Sequence, residues 1–219
     1  MTIPAIGRLH VITDEVLQTR LSHAAVAKLA IEGGADVIQY REKRPLKTRE
    51  LIEAARAVAD ACREAGAICI VDDRVDVAAA VGANGVHLGR DDLDVSTARL
   101  LLGTPYLIGG TANSIEEARR VWRISVDYVG IGPVFGTNSK ANPAPVMGLE
   151  TLTAIVQESP VPVIAIGNIT ADRAADVLAT GAYGVAVLSG ITCAADPVAA
   201  ARSYAAQIDA FIKSQGVKA

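Results

Sequence analysis

The chain has 219 residues, 51% of them hydrophobic, and a formal net charge of -3 with both signs spread along its length. That is enough apolar material for a sizeable core, and it offers neither a basic stripe for nucleic acid nor a polybasic face for a membrane. No segment reaches membrane-spanning length, and Met1-Thr2-Ile3-Pro4 lacks the charged start and long apolar stretch of a leader, so a single-domain, cytoplasmic protein is expected.

Short β-branched runs recur along the chain, each followed by an alanine-rich amphipathic stretch. Strands are predicted at residues 8–13, 37–42, 68–73, 85–89, 107–111, 128–134, 161–167 and 184–189. Helices are predicted after every one, with Thr48 starting a long helix that runs to Ala65. Ser114 and Glu117 have the spacing of a capping box, and Thr170 precedes Ala171-Asp172 as a helix start. Gly33-Gly34, Gly66, Gly82 and Gly181 stand where helices should end. Eight βα units in this length predict an α/β protein built as one closed (β/α)8 TIM barrel, with function at the C-terminal ends of the strands. Residues 135–147 lack periodicity and are rich in Gly, Asn and Pro, so a long functional loop is expected after the sixth strand. Cys62, Cys69 and Cys193 show no metal-ligand spacing and are read as buried thiols.

Gln39-Tyr40-Arg41-Glu42-Lys43 closes the second strand. Side chains alternate across a strand, so Gln39, Arg41 and Lys43 leave on one face and Tyr40 and Glu42 on the other. Two cations brought together at a strand end are unfavourable unless an anion or an acidic cluster meets them, and a phosphorylated ligand fits. Asp72-Asp73 ends the third strand and Asp91-Asp92 follows the fourth. Carboxylates from separate strands suit Mg2+, which takes a few protein oxygens and the rest from water and phosphate; Asp73 and Asp92 are the expected ligands. The alternative is salt bridging, Asp73 with Arg74 or Asp92 with Arg90.

The sixth strand runs into Gly136-Thr137-Asn138-Ser139-Lys140, a concentration of amide and hydroxyl donors with one cation, without the spacing of a nucleotide-binding loop. Gly167-Asn168 after the seventh strand and Leu188-Ser189-Gly190 after the eighth form the loop pair that commonly binds phosphate in barrels. His10 and His87 read as structural strand residues and His23 as helix surface, so no nucleophile with its base is in evidence.

These motifs, in this order, resemble the thiamine phosphate synthase family over almost the whole chain. The specific parts are Gln39-Tyr-Arg-Glu-Lys43, Asp73-Arg74-Val75-Asp76, Gly85-Val86-His87-Leu88-Gly89 with Asp92, and Gly130-Ile-Gly-Pro133 followed by Thr137-Asn-Ser-Lys140. The resemblance implies the joining of an aminopyrimidine methyl diphosphate to a thiazole phosphate, with release of pyrophosphate. It sets Gln39, Arg41, Lys43 and Lys140 around the diphosphate, with Tyr40, Glu42 and Asp72 counted among the substrate-binding residues and Arg41, Lys43 and Lys140 as catalytic. It assigns Asp73 and Asp92 to magnesium and Thr111 to the pyrimidine. Thr137, Asn138, Ser139, Gly167, Asn168, Leu188 and Ser189 fall at the thiazole phosphate. The implied partners are small phosphorylated substrates, with no nucleic acid or membrane, and a homo-oligomer is left open. Asp72 stands where asparagine is usual and either reinforces the metal site or weakens diphosphate binding. Asn168 replaces the second glycine of a Gly-Gly pair, Thr111-Ala112-Asn113 replaces the commoner serine and histidine, and Gly136 replaces a proline. A thiazole tautomerase-like branch shares the barrel but tends to lose the diphosphate set, which is complete here. A catalytically silent phosphate-binding barrel is the other alternative.

Overall fold

Eight β-branched runs form eight parallel strands, and the ladder closes on itself. A computed structural model describes residues 6–137, 139 and 144–216. The strands are β1 Leu9–Thr13, β2 Val37–Tyr40, β3 Ile68–Asp72, β4 Gly85–Leu88, β5 Leu107–Ala112, β6 Tyr128–Ile131, β7 Val163–Ile166 and β8 Gly184–Val187. Each pairs with its sequence neighbours, and Leu9 opposite Val185 joins β1 to β8, giving the expected closed barrel in the order β1 to β8.

The helices are α1 His23–Glu32, α2 Thr48–Ala65, α3 Val75–Val81, α4 Val95–Leu102, α5 Ile115–Trp122, α6 Gly148–Glu158, α7 Ala174–Ala179, α8 Ser189–Thr192 and α9 Pro197–Ser214. Local chemistry starts several of them: the side chains of Ser22, Asp94, Ser114 and Asp196 each accept a hydrogen bond from an amide in the first turn. The Ser114 box is only half made, because Glu117 reaches back to the Asn113 amide at 2.8 Å and not to that of Ser114. Thr170 opens a 3-10 turn, Ala171–Arg173, ahead of α7. Among the described residues no helix is long and apolar enough to cross a membrane.

Period-two alternation divides the core. Val11, Ile38, Val71, Val86, Ile108, Val129, Ala165 and Val185 point outward and pack under the helices. Ile12, Tyr128, Ile164 and Ala186 belong to a small cluster inside the barrel. Two strands stop sooner than expected: β2 ends at Tyr40 and not at 42, and β6 at Ile131 and not at 134, so Arg41 to Lys43 and Gly132 to Val134 lie beyond the ladder. The base of the long loop is nonetheless tied, since the amides of Met147 and Gly148 donate to Pro133 and Val134 carbonyls.

Two residues differ from their expected surroundings. His23 is not on the helix surface; as the first residue of α1 it turns under the β1 end, 1% exposed, against Thr13 and Glu42. Cys193 is exposed, whereas Cys62 and Cys69 are buried in contact between α2 and β3.

Inside the barrel, close approach depends on a missing side chain. A Cβ at Gly109 would lie 2.2 Å from Tyr128 Cζ and 2.5 Å from His87 Nδ1. Gly109→Ala should therefore cost about 1–3 kcal/mol by overpacking, lowering Tm by several degrees in thermal denaturation followed by circular dichroism.

Candidate active site

The strand ends open into one cavity of about 1200 Å³ at the C-terminal mouth of the barrel. The parity of β2 decides who reaches it. Gln39, Arg41 and Lys43 line it, as do Asp72 and Asp73 from the β3 end and Asp92 from the loop after β4. Tyr40 and Glu42 do not. Both face the helix layer, Tyr40 2% exposed with its ring edge-on to His23 and Glu42 bonded to His23 and Arg44, and with Lys43, Asp72 and Asp73 they line a smaller cleft behind the mouth.

The two cations sit among carboxylates. Arg41 pairs with Asp14 and lies 3.8 Å from Asp72; Lys43 pairs with Asp73 and lies 3.5 Å from Asp72. Gln39 donates to Asp72 at 2.7 Å. Asp14 had no signal in the sequence beyond its place after β1. It is 1% exposed, and its other oxygen accepts the Val16 and Leu17 amides, which aims it at Arg41. Burial, then the neighbouring Asp73, push the Asp72 carboxyl up to about 6 despite Lys43 and Arg41.

Neither alternative salt bridge is made. Arg74 pairs with Asp76, and Arg90 with Glu117. Asp92 instead accepts the Gly89 amide at 2.7 Å; burial and the nearby Asp73 raise its pKa. Asp73 lies close enough to Asp92 to disfavour its charge, which a cation beside both would relieve. No group of three or more His, Cys, Asp or Glu that could hold a metal is found among the described residues. Asp73 and Asp92 thus suit a hard cation that completes its shell with water and phosphate.

Deeper in, Thr111 Oγ1 is 2.8 Å from His87 Nε2, and His87 Nδ1 is 3.1 Å from the Tyr128 hydroxyl. His10 lines the same floor, its Nε2 buried with no partner among the described residues, and burial lowers its pKa to about 4, so it is neutral. The polar character of this floor was not legible in the sequence, where both histidines read as structural.

The opposite wall carries Thr137, Ser139, Gly167, Asn168, Leu188 and Ser189. Gly167 has φ +112°, and a Cβ there would meet Pro133 Cα at 2.6 Å, so glycine is required. Asn168, at φ 47°, takes the left-handed conformation that its short polar side chain tolerates. Asn138 and Lys140 lie outside the described residues.

A closed barrel with cations and paired carboxylates at one end of its mouth, and hydroxyl-rich, glycine-containing loops at the other, defines a (β/α)8 enzyme for phosphorylated small molecules. Residues 9–191 match the family described as thiamine monophosphate synthase. A thiamine-phosphate synthase of Salinibacter ruber is 47% identical over 95% of this chain and 92% of its own; one of Chloroflexus aurantiacus is 47% identical over 92% of each. The solved thiamine phosphate pyrophosphorylase of Pyrococcus furiosus superposes with a TM-score of 0.86 at 38% identity, over 94% of this chain and 96% of its own. The chain belongs to the thiamine monophosphate synthase family, a family of transferases.

The raised pKa of Asp72 has a consequence for stability. The folded state holds a proton there that the unfolded chain releases near 3.8, so this contribution is present at low pH and is lost as pH rises through about 6. Asp72→Asn removes the charge that burial penalises. Its stability relative to the parent should be higher at about pH 8 than at about pH 4, by on the order of 1–3 kcal/mol, in paired denaturant titrations.

Proposed function

We propose that this chain joins an aminopyrimidine methyl diphosphate to a thiazole phosphate, giving thiamine phosphate and pyrophosphate. The observation that carries the reading is the sharing of one cavity by two anion-binding regions, Gln39, Arg41 and Lys43 on one side and the Thr137, Ser139, Gly167 and Ser189 loops on the other. Two phosphorylated substrates can then meet between them.

Gln39, Arg41 and Lys43 bind the diphosphate, with Lys140 as a further cation from the loop after β6. In the free protein the Arg41 and Lys43 charges are balanced by Asp14, Asp72 and Asp73. An incoming diphosphate offers a denser anion to the same donors. Asp73 and Asp92 would hold Mg2+, which when bound would neutralise phosphate charge. The carbon–oxygen bond breaks with its electron pair going to pyrophosphate, so Arg41, Lys43 and Lys140 stabilise the leaving group most as the bond opens. The electron-rich aminopyrimidine delocalises the methylene cation that is left, and the thiazole nitrogen lone pair forms the new carbon–nitrogen bond. No proton need move and no protein nucleophile is required, in keeping with a cavity whose histidines are a neutral His10 and a His87 bonded to Thr111 and Tyr128. The protein's share is orientation and leaving-group electrostatics. Thr111 meets the pyrimidine, and Asn168, Leu188 and Ser189 complete the thiazole phosphate region with Thr137, Asn138, Ser139 and Gly167.

Purified protein given both substrates and magnesium should release pyrophosphate and thiamine phosphate in equal amounts; release of neither overturns the reading. Asp92→Asn should raise the magnesium concentration needed for half-maximal rate by about tenfold or more, and an unchanged titration would remove Asp92 from the metal site.

A further inference from the structure

The outward face of the β2 end carries a buried ion cluster that the reaction does not use. Glu42, its side chain 2% exposed, accepts from Arg44 through both oxygens: Oε1 takes the backbone amide at 2.8 Å and Nε at 3.0 Å, while Oε2 takes Nη2 at 2.5 Å. His23 Nε2 lies 3.2 Å from Oε2. Its Nδ1 is 2.7 Å from Thr13 Oγ1, and its backbone amide donates to Glu15 at 2.8 Å. Glu15 closes the ring onto Arg44 at 2.7 Å. Burial alone would raise the Glu42 pKa, yet the Arg44 and His23 bonds hold it at about 2.

Such a cluster is an expensive way to fill space, since apolar residues of similar volume usually pack at least as stably. Its position suggests what it supplies. The last ladder pairs of β2 are Tyr40 with Thr13 and with Val71, so Arg41, Glu42 and Lys43 leave the sheet without the register that fixes a strand. Arg41 and Lys43 flank Glu42 and point the opposite way, into the cavity. Locking the Glu42 side chain to the Arg44 amide and to the start of α1 replaces the missing ladder.

We propose that Glu42 is a positioning residue: its clamp by Arg44 and His23 aims Arg41 and Lys43 at the diphosphate. The inference rests on the reading that these two cations bind that substrate. Glu42→Gln keeps the shape and loses the charge; Arg44→Lys keeps the charge and loses the planar fork. Each should raise KM for the aminopyrimidine diphosphate by about tenfold, while KM for the thiazole phosphate changes by less than about twofold. Glu42→Asp, which restores the charge one methylene short, should recover part of the loss. Equal rises in both KM values, or no rise in either, would overturn the proposal, and if Glu42→Gln fails to fold, Arg44→Lys decides. Arg41→Ala separates the two levels. If it leaves the diphosphate KM unchanged, the substrate reading itself fails; if it raises that KM while the clamp variants do not, only the positioning role fails.

Discussion

Two positive charges held at the mouth of a barrel set the terms for everything around them. Arg41 and Lys43 stand where solvent is partly excluded, and their charges are tolerable because Asp14, Asp72 and Asp73 converge on them from β1 and β3. The arrangement is balanced but under tension. Burial, and then the neighbouring Asp73, push the Asp72 carboxyl up to about 6 even with both cations beside it.

The barrel serves this site by what it leaves out of its interior. A filled barrel core of branched residues would raise the floor. Here the inward positions near the mouth are Gly109, Thr111 and Gly130, and the space they leave is taken by Tyr128 and His87, linked by hydrogen bonds and reaching Thr111. The floor below the charged rim is therefore polar, with a neutral His10 beside it.

Much of this was legible in the chain. Eight strand runs, their helices, the α2 limits at Thr48 and Ala65 and the inward parity of Gln39, Arg41 and Lys43 follow from periodicity, because alternation and capping are local. The parity of β2 equally turns Tyr40 and Glu42, members of the same motif, away from the cavity at the mouth. The burial of His23 is a tertiary matter. Its helical position looked like surface until the β1 and β2 ends closed over it. Asp14 was invisible as a partner of Arg41, since 27 residues separate the two and only the adjacency of β1 and β2 joins them.

By itself the sequence determined the fold class, the family motifs and which face of each strand a side chain takes, since these depend on periods of two and 3.6 and on residue types at fixed spacing. Only the tertiary structure decided who pairs with whom: Lys43 with Asp73, Arg41 with Asp14, Arg74 with Asp76, and Glu42 with Arg44 and His23. Charge pairing depends on distance and burial through space, and these are fixed when the eighth strand closes on the first.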